Sequence, residues 1–209
     1  MIVIGLTGSI GMGKSTAAAM LETLKIPVHS ADDAVHELLA PGGGAALAVG
    51  AAFPYFEFPK IYGRKTKSGA RAIKRKEFGE IIFKNDKLRK KLENILHPLV
   101  QDEQNKFIRS GKNKGLDIIA LDIPLLFEAG REEAVDYIIV VTAPYEIQRT
   151  RVLARPGMDE DKFQAILKRQ MPDGEKCARA DYVIHTGLGR AQTMKELKSA
   201  LADIRKKNK

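Results

Sequence analysis

GLTGSIGMGKST, residues 5–16, decides the fold expected for this chain. Gly8, Gly13, Lys14 and Ser15 fit the spacing GxxxxGK[ST], in which a glycine-rich turn joins a strand to a helix. An apolar run at residues 1–6 precedes the turn, and the helix-forming stretch STAAAMLETLK follows it from Ser15. This order of strand, turn and helix predicts a phosphate-binding loop. The alternative is a glycine-rich turn that binds nothing.

The residue types of the loop suit a nucleoside triphosphate. Backbone N–H groups of such a turn converge on an anion, and the positive end of the following helix dipole strengthens the attraction. Lys14 is expected to neutralise the β- and γ-phosphates, and the Ser15 hydroxyl to bind Mg²⁺. The residues predicted to contact ATP are Gly8, Gly11, Met12, Gly13, Lys14, Ser15 and Thr16.

The motifs that read guanine are missing from the sequence. Asn113 and Lys114 begin a string resembling NKxD, but Asp117 comes one position too late. Asp122 follows an apolar run but is succeeded by IPLL, so no DxxG is formed. We therefore expect ATP rather than GTP as the nucleotide.

Short apolar runs recur after the loop and predict further strands. They begin at Pro27 and Val28 and continue at residues 117–122 (DIIALD), 136–142 (DYIIVVT) and 181–186 (DYVIHT). Helical stretches separate most of them, which favours a doubly wound parallel α/β sheet of about five strands. Residues 53–110 show helical segments and no clear strand. Ligands of such sheets bind at the carboxyl ends of the strands.

Composition limits the class of protein and of partner. The 209 residues contain 35 Lys and Arg against 26 Asp and Glu, giving a net charge of +9 that suggests an anionic partner. Much of the excess lies in residues 60–76 and 205–209, and such runs are typical of solvated surface. One cysteine, Cys177, together with the lack of a signal-peptide pattern or long apolar stretch, predicts a cytoplasmic protein without a membrane partner. Nothing in the sequence determines the oligomeric state.

Two aspartates follow predicted strands. Asp32 lies just after the second strand, where a carboxylate can accept a proton from an attacking hydroxyl group. It also suits the N-cap or first turn of a helix. Asp122 ends a strand and is a candidate ligand of Mg²⁺, or it caps the segment that follows.

A polar helix face is predicted after residue 142. Gln148, Arg151 and Arg155 are spaced by three and four positions, so they are expected to share one face of a helix. Paired guanidinium groups suit phosphate binding, whereas the alternative is a solvated face. The next helix ends at residues 168–170, so the arginines are expected at the base of a helical hairpin that closes as a lid.

Two features of the middle region have alternative interpretations. His97 and Pro98 follow the helical stretch LENIL and either bind an anion or end the helix, and the second interpretation is favoured. The aromatic cluster FPYFEF at residues 53–58 either stacks on a base or forms a small local core, which is the favoured interpretation.

Taken together, these segments resemble the dephospho-CoA kinase family over nearly the whole chain. The stretches similar to that family are GLTGSIGMGKST, PVHSADDAVHEL, LENILHPLV, LDIPLLFEAG, VDYIIVVTAPYEIQRTRVLAR and ADYVIHTG. The family uses ATP to phosphorylate the ribose 3′-hydroxyl group of dephospho-CoA, the last step of CoA biosynthesis. HPL and IPLLFE argue against a nucleoside or nucleotide kinase, and a nucleic-acid-binding protein is supported by charge alone.

The resemblance implies a three-part molecule of P-loop kinase type. Its core comprises about 1–40, 112–150 and 180–209, a helical substrate-binding region about 41–111, and a lid about 151–179. The implied catalytic residues are Asp32, Lys14, Arg151 and Arg155. Asp32, Arg75, His97 and Pro98 are implied to bind dephospho-CoA, and Ser15 and Asp122 to bind Mg²⁺.

The chain departs from the family pattern at three positions and in the segment between Phe53 and Arg75, which is longer and more basic than expected. Ser30 replaces the first aspartate of the "DAD" segment, and His36 stands where an arginine is usual. Met12 replaces a serine of the loop and is expected to contribute its backbone alone.

Overall fold

The computed structural model describes residues 1–65 and 71–208. Residues 66–70 of the basic stretch at 60–76 lie outside the described residues. The strands are β1 (Ile2–Thr7), β2 (Val28–Ser30), β3 (Tyr62–Lys65), β4 (Arg71–Ile73), β5 (Ile118–Asp122), β6 (Tyr137–Thr142) and β7 (Tyr182–His185). The α-helices are α1 (Lys14–Thr23), α2 (Ala31–Leu38), α3 (Ala46–Ala52), α4 (Arg75–Lys84), α5 (Asp86–Asn113), α6 (Tyr145–Leu153), α7 (Glu160–Leu167), α8 (Asp173–Ala178) and α9 (Arg190–Lys207).

The chain divides into two compact units. The first comprises Met1–Ser30 and Ile108–Lys209, and the second comprises Ala31–Phe107. The second unit begins directly after β2, about ten residues earlier than the helical region expected from the sequence. Residues 151–179, the expected lid, group with the first unit. No helix within residues 1–65 and 71–208 has both the length and the apolar character needed to span a membrane.

The first unit is built on a parallel five-stranded sheet with the order β2-β5-β1-β6-β7. The prediction of a doubly wound α/β sheet is confirmed. Asp122, the last residue of β5, pairs with Leu6 of β1 and Ser30 of β2. The carboxyl ends of these three strands are therefore level, and the loop that follows β1 lies at the edge where ligands of such sheets bind.

Apolar side chains on both faces of this sheet are buried. Val140 of β6 is fully buried on one face of the sheet. On the other face Leu6 of β1 is fully buried in a cluster of apolar side chains, as expected for strands covered by helices on both sides. Leu21 of α1 and Leu201 of α9 belong to the same cluster. The helix that follows the glycine-rich loop is thus fixed by its buried face, and its first residue, Lys14, is fixed with it.

The second unit has its own small core around Phe53. This ring is fully buried and meets the Phe58 and Phe78 rings edge to face, with centroids 5.5 and 4.9 Å apart. The interpretation of the aromatic cluster as a local core is therefore confirmed for Phe53. The unit also contains an antiparallel pair, β3 with β4, where no strand was expected. Its strands are only four and three residues long, with the sequences YGRK and RAI, so neither contains an apolar run long enough to predict a strand.

The prediction that His97 and Pro98 end a helix is wrong. Helix α5 continues through both residues to Asn113. Pro98 has no N–H group to donate to the carbonyl of Asn94, an interruption that costs about 3 kcal/mol in a helix interior. Leu96 and Val100 lie on either side of it and are both buried in the core of the second unit. Each such side chain contributes about 1.5 to 3 kcal/mol on burial, which offsets the cost of the proline.

Candidate active site

The loop between β1 and α1 has a backbone that requires glycine at two positions. Gly11 has φ +78° and Gly13 has φ +90°, both in the left-handed region that other residues rarely adopt. A Cβ atom at Gly11 would lie 2.9 Å from the Gln148 carbonyl oxygen, and one at Gly13 would lie 2.9 Å from Thr186 Oγ1. The two glycines let the loop turn sharply and approach α6 and the end of β7.

Several backbone N–H groups near the start of α1 have no acceptor in the described part of the chain. Among residues 1–65 and 71–208, the N–H groups of Gly11, Gly13, Lys14 and Ser15 donate to no protein acceptor. The other two N–H groups in this stretch are engaged, since Met12 donates to the Ser9 carbonyl and Thr16 to the Gly13 carbonyl, each at 3.1 Å. Free N–H groups at a glycine-rich helix N-terminus form a binding site for an anion such as phosphate.

Lys14 and Asp122 form a close ion pair beside these donors. Lys14 Nζ contacts Asp122 Oδ1, and the two side chains are only 14% and 8% exposed. Asp122 is held there because it ends β5, next to β1 in the sheet. The pair brings a cation and a carboxylate to the loop predicted to bind triphosphate.

The donor set beside the loop fits a magnesium ion. Asp122 supplies a carboxylate, and Ser15 supplies an exposed hydroxyl group in the first turn of α1. In the described part of the chain, no group of three or more His, Cys, Asp or Glu residues is arranged to hold a metal. Magnesium is commonly bound by one or two carboxylates together with substrate phosphates and water, so a small set of hard oxygen donors is appropriate.

Arg151 and Thr186 hold the loop through hydrogen bonds to its backbone carbonyl groups. The guanidinium group donates to Thr186 Oγ1 at 2.9 Å, to the Thr186 carbonyl at 2.8 Å and to the Gly11 carbonyl at 3.4 Å. Thr186 Oγ1 in turn donates to the Met12 carbonyl at 2.6 Å. No role was predicted for Thr186, because it follows the end of β7 and becomes a neighbour of the loop only in the folded chain.

The predicted polar helix face is only partly formed. Helix α6 ends at Leu153, so Arg155 lies beyond it and does not share a helical face with Gln148 and Arg151, as was expected. The sequence reason is Pro156, which disfavours helical backbone at the residue before it. Gln148 is only 3% exposed, so its face of α6 is not solvated. Arg155 is exposed.

The segment after α7 returns to the loop. Gln170 Oε1 accepts a hydrogen bond from the Ile10 N–H at 3.0 Å. Further on, Asp173 Oδ2 accepts one from Thr142 Oγ1 at 2.6 Å, which ties α8 to the end of β6. A cavity of about 500 Å³ lies here within the first unit, lined by Ser9 and Met12 of the loop and by residues 167–168 and 170–173.

Glu128 anchors the same segment. Its Oε1 accepts from the Met171 N–H and lies 2.8 Å from Nζ of Lys176, whose side chain is fully buried. Burial by itself would raise the pKa of the Glu128 carboxyl, but the ion pair with Lys176 and the hydrogen bond from Met171 outweigh burial and the pKa is lowered. These contacts hold the last part of the expected lid to the rest of the first unit.

The remaining predicted residues lie in the second unit. Asp32 is the second residue of α2, which excludes the N-cap interpretation and leaves it in the first turn. Its side chain is exposed and forms no hydrogen bond or ion pair within the described part of the chain. Arg75 begins α4, and His97 and Pro98 lie on α5, all of them exposed.

A comparison with protein families decides which kinases this chain is related to. The family model described as dephospho-CoA kinase matches residues 2–192. The chain belongs to the dephospho-CoA kinase family. Its activity is accordingly the ATP-dependent phosphorylation of the 3′-hydroxyl group of dephospho-CoA, the last step of CoA biosynthesis.

Individual members of the dephospho-CoA kinase family match almost end to end. A dephospho-CoA kinase of Brucella melitensis is 47% identical over 204 residues, covering 98% of this chain and 94% of the relative. One of Novosphingobium aromaticivorans is 45% identical over 206 residues, covering 99% and 96%. The solved dephospho-CoA kinase of Campylobacter jejuni has a TM-score of 0.71 at 28% identity, covering 99% and 98%. A solved structure of the protein TT1252 from Thermus thermophilus has a TM-score of 0.73 at 30% identity, with 97% coverage of both chains.

The residues that depart from the dephospho-CoA kinase pattern lie in three different surroundings. Met12 contributes more than the expected backbone, because its side chain is 3% exposed and its sulfur accepts a hydrogen bond from the Ala143 N–H at 3.2 Å. Ser30 ends β2 in register with Asp122. His36 is an exposed residue in the last turn of α2.

Proposed function

We propose that the phosphoryl group passes from ATP to dephospho-CoA at the loop between β1 and α1. This proposal rests on the N–H groups of Gly11, Gly13, Lys14 and Ser15 near the start of a helix, which have no acceptor within residues 1–65 and 71–208. These donors are placed to bind the phosphates, and Lys14 exchanges its contact with Asp122 for the triphosphate. Most of the rate enhancement then comes from fixed positive charge and from positioning.

In this proposal Asp32 orients the 3′-hydroxyl group and accepts its proton. Its carboxylate is exposed and has no hydrogen-bond or ion-pair partner within residues 1–65 and 71–208, so it is available to a substrate. The residue lies two positions after the carboxyl end of β2, on the first turn of α2. The attacking oxygen is the ribose 3′ oxygen, the bond that breaks joins the γ-phosphorus to the bridging oxygen, and ADP leaves.

Magnesium belongs to the same proposal, with the Ser15 hydroxyl and the Asp122 carboxylate as its protein ligands. When bound, the ion neutralises charge on the β- and γ-phosphate oxygens. Asp122 also keeps Lys14 beside the loop in the absence of nucleotide, because the two side chains are paired.

A cytoplasmic location is proposed from the single cysteine, Cys177, which is free.

The acceptor side of the proposal rests on the second unit. Arg75, His97 and Pro98 are assigned to dephospho-CoA because they match the family motifs and are exposed on α4 and α5. The pyrophosphate of dephospho-CoA is a suitable ligand for Arg75. Arg155 is assigned to the transferring phosphoryl group, since it is exposed, whereas Arg151 is engaged by Thr186 and is assigned a part in holding the loop.

The test compares Asp32→Asn with Asp33→Asn. Both residues are exposed and lie in the first turn of α2, so the two variants change charge equally and in the same place. Loss of a general base lowers kcat by about 10²- to 10⁴-fold. Asp32→Asn is expected to show that loss with an unchanged KM for ATP, and Asp33→Asn to stay within about threefold of wild type. Equal losses in both variants, or a near-normal kcat for Asp32→Asn, would contradict the role of Asp32.

A further inference from the structure

Both polar groups of Ile10 in the phosphate loop are bonded to glutamine side chains. The Ile10 N–H donates to Gln170 Oε1 at 3.0 Å, and the Ile10 carbonyl accepts from Gln148 Nε2 at 2.7 Å. The partners determine the orientation of each amide, because an N–H requires an oxygen and a carbonyl requires an N–H. Gln148 comes from α6 and Gln170 from the segment after α7, so two distant parts of the chain hold one residue of the loop.

The planarity of the peptide bond connects these contacts to the phosphate donors. In a trans peptide the carbonyl of one residue and the N–H of the next point in opposite directions. Gln148 draws the Ile10 carbonyl towards α6, so the Gly11 N–H is aimed away from α6. Gln170 fixes the Ile10 N–H in the same way, and with it the Ser9 carbonyl, which accepts from Met12 at 3.1 Å. The direction of the first free donor, Gly11 N–H, is therefore set by side chains outside the loop.

Each glutamine is presented by a fixed backbone. Gln148 is 3% exposed, and its own N–H donates to the Pro144 carbonyl at 3.0 Å. Next to Gln170, the Met171 N–H is bound by Glu128 at 2.8 Å, and Glu128 is paired with the fully buried Lys176. The glutamines can therefore hold the loop in place rather than follow its motion.

We propose that Gln148 and Gln170 are positioning residues that aim the Gly11 N–H at the nucleotide phosphates. The proposal rests on the proposed role of the loop in binding ATP. Neither side chain touches the nucleotide in this scheme, and both act through Ile10. A neutral amide suits these positions because a carboxylate would bring negative charge beside the triphosphate, and at residue 148 it would offer no donor to the Ile10 carbonyl.

The experiment uses Gln148→Met, Gln170→Met and the double variant. Methionine keeps the length of the side chain and removes its hydrogen bond. Gln192→Met is the control, since within the described part of the chain the Gln192 side chain bonds only to Glu196 on its own helix, α9, at 2.8 Å. The Kd of ADP, the Tm with and without ADP, and the KM of both substrates are measured for each protein.

Each single variant is expected to weaken ADP binding about tenfold, the factor that corresponds to one hydrogen bond of about 1.4 kcal/mol. The double variant is expected to be about as weak as either single variant, because both contacts hold the same residue. The KM of dephospho-CoA should stay within twofold of wild type in each variant. The Kd of ADP for the control, Gln192→Met, should also stay within twofold of wild type. Gln170 is only half-buried, so its variant tests the proposal even if Gln148→Met fails to fold.

Two results would overturn the proposal. A merely structural role would lower the Tm of the free protein and leave the Kd of ADP within twofold of wild type. Losses that multiply in the double variant would show that the two glutamines act on separate features. If wild type itself failed to bind ADP, the proposed function of the loop would be refuted. If wild type and all variants bound ADP equally well, only the positioning role of the glutamines would be refuted.

Discussion

Replacing Gly11 by alanine tests whether the loop is held tightly against α6. The backbone of Gly11 has φ +78°, which costs an alanine about 1 to 2 kcal/mol. The new methyl group would also lie 2.6 Å from Val152 Cγ2 and 2.9 Å from the Gln148 carbonyl oxygen. Such overpacking costs about 1 to 3 kcal/mol more, so the total loss of stability is about 2 to 5 kcal/mol.

The variant Gly157→Ala separates the cost of the backbone conformation from the cost of overpacking. Gly157 has nearly the same backbone, with φ +76°, but a Cβ atom there would have no neighbour within 4 Å. It should lose only the backbone contribution of about 1 to 2 kcal/mol. At about 2 to 4 °C per kcal/mol, the Tm should fall by about 2 to 8 °C for Gly157→Ala and by up to about 20 °C for Gly11→Ala. Thermal unfolding and ADP titration measure both effects. Equal Tm values and unchanged ADP binding in the two variants would refute the reasoning from close approach.

Two further predictions concern the segments around the lid. Arg155→Ala should leave the free energy of unfolding within about 0.5 kcal/mol of wild type, because the residue is exposed, and should lower kcat by at least tenfold in steady-state kinetics; an unchanged kcat would remove Arg155 from the phosphoryl site. Glu128→Gln should lower the free energy of unfolding by about 3 kcal/mol at pH 7, because the substitution leaves the buried Lys176 without its counter-charge. The lowered pKa of Glu128 stabilises the fold above the unfolded-state pKa of about 4.3 and loses this effect as the pH falls through the folded-state pKa. The stability difference between wild type and Glu128→Gln, measured by urea unfolding, should therefore narrow below about pH 4.3, and a gap that stays constant down to pH 3 would contradict the ion pair.

The fold and the loop were predictable because their signals are local. The spacing of Gly8, Gly13, Lys14 and Ser15 is a property of eight consecutive residues, and the strands of the sheet are continuous apolar runs. Asp122 was placed correctly at the end of a strand for the same reason. In each case the segment that forms the structure also contains the evidence for it.

The residues that hold the loop were not predictable in this way. Thr186 and Gln170 lie more than 150 positions beyond the loop residues that they bond, Met12 and Ile10. Nothing in their neighbouring sequence specifies such a partner, because the contact depends on how β7 and the segment after α7 pack. Polar residues after the ends of strands at the ligand-binding edge are the signal that could have pointed to Thr186.

The rule that a proline interrupts a helix does not hold at Pro98 but holds at Pro156. Helix α5 continues through Pro98 because Leu96 and Val100 are buried around it. Helix α6 ends before Pro156, where Arg155 and Gly157 offer no buried apolar surface. Tertiary burial therefore decides whether a proline interrupts a helix, and that information is not present in the dipeptide itself.

The most direct test of the account is ADP release from Mg·ATP by wild type and Lys14→Met, with dephospho-CoA, adenosine, AMP or CMP as the acceptor. The account predicts release that requires dephospho-CoA and that is lost in Lys14→Met, because the loop then lacks its cation. Comparable or faster release with AMP or CMP would contradict the assigned acceptor. Wild-type rates in Lys14→Met would contradict the placing of phosphoryl transfer at the loop between β1 and α1.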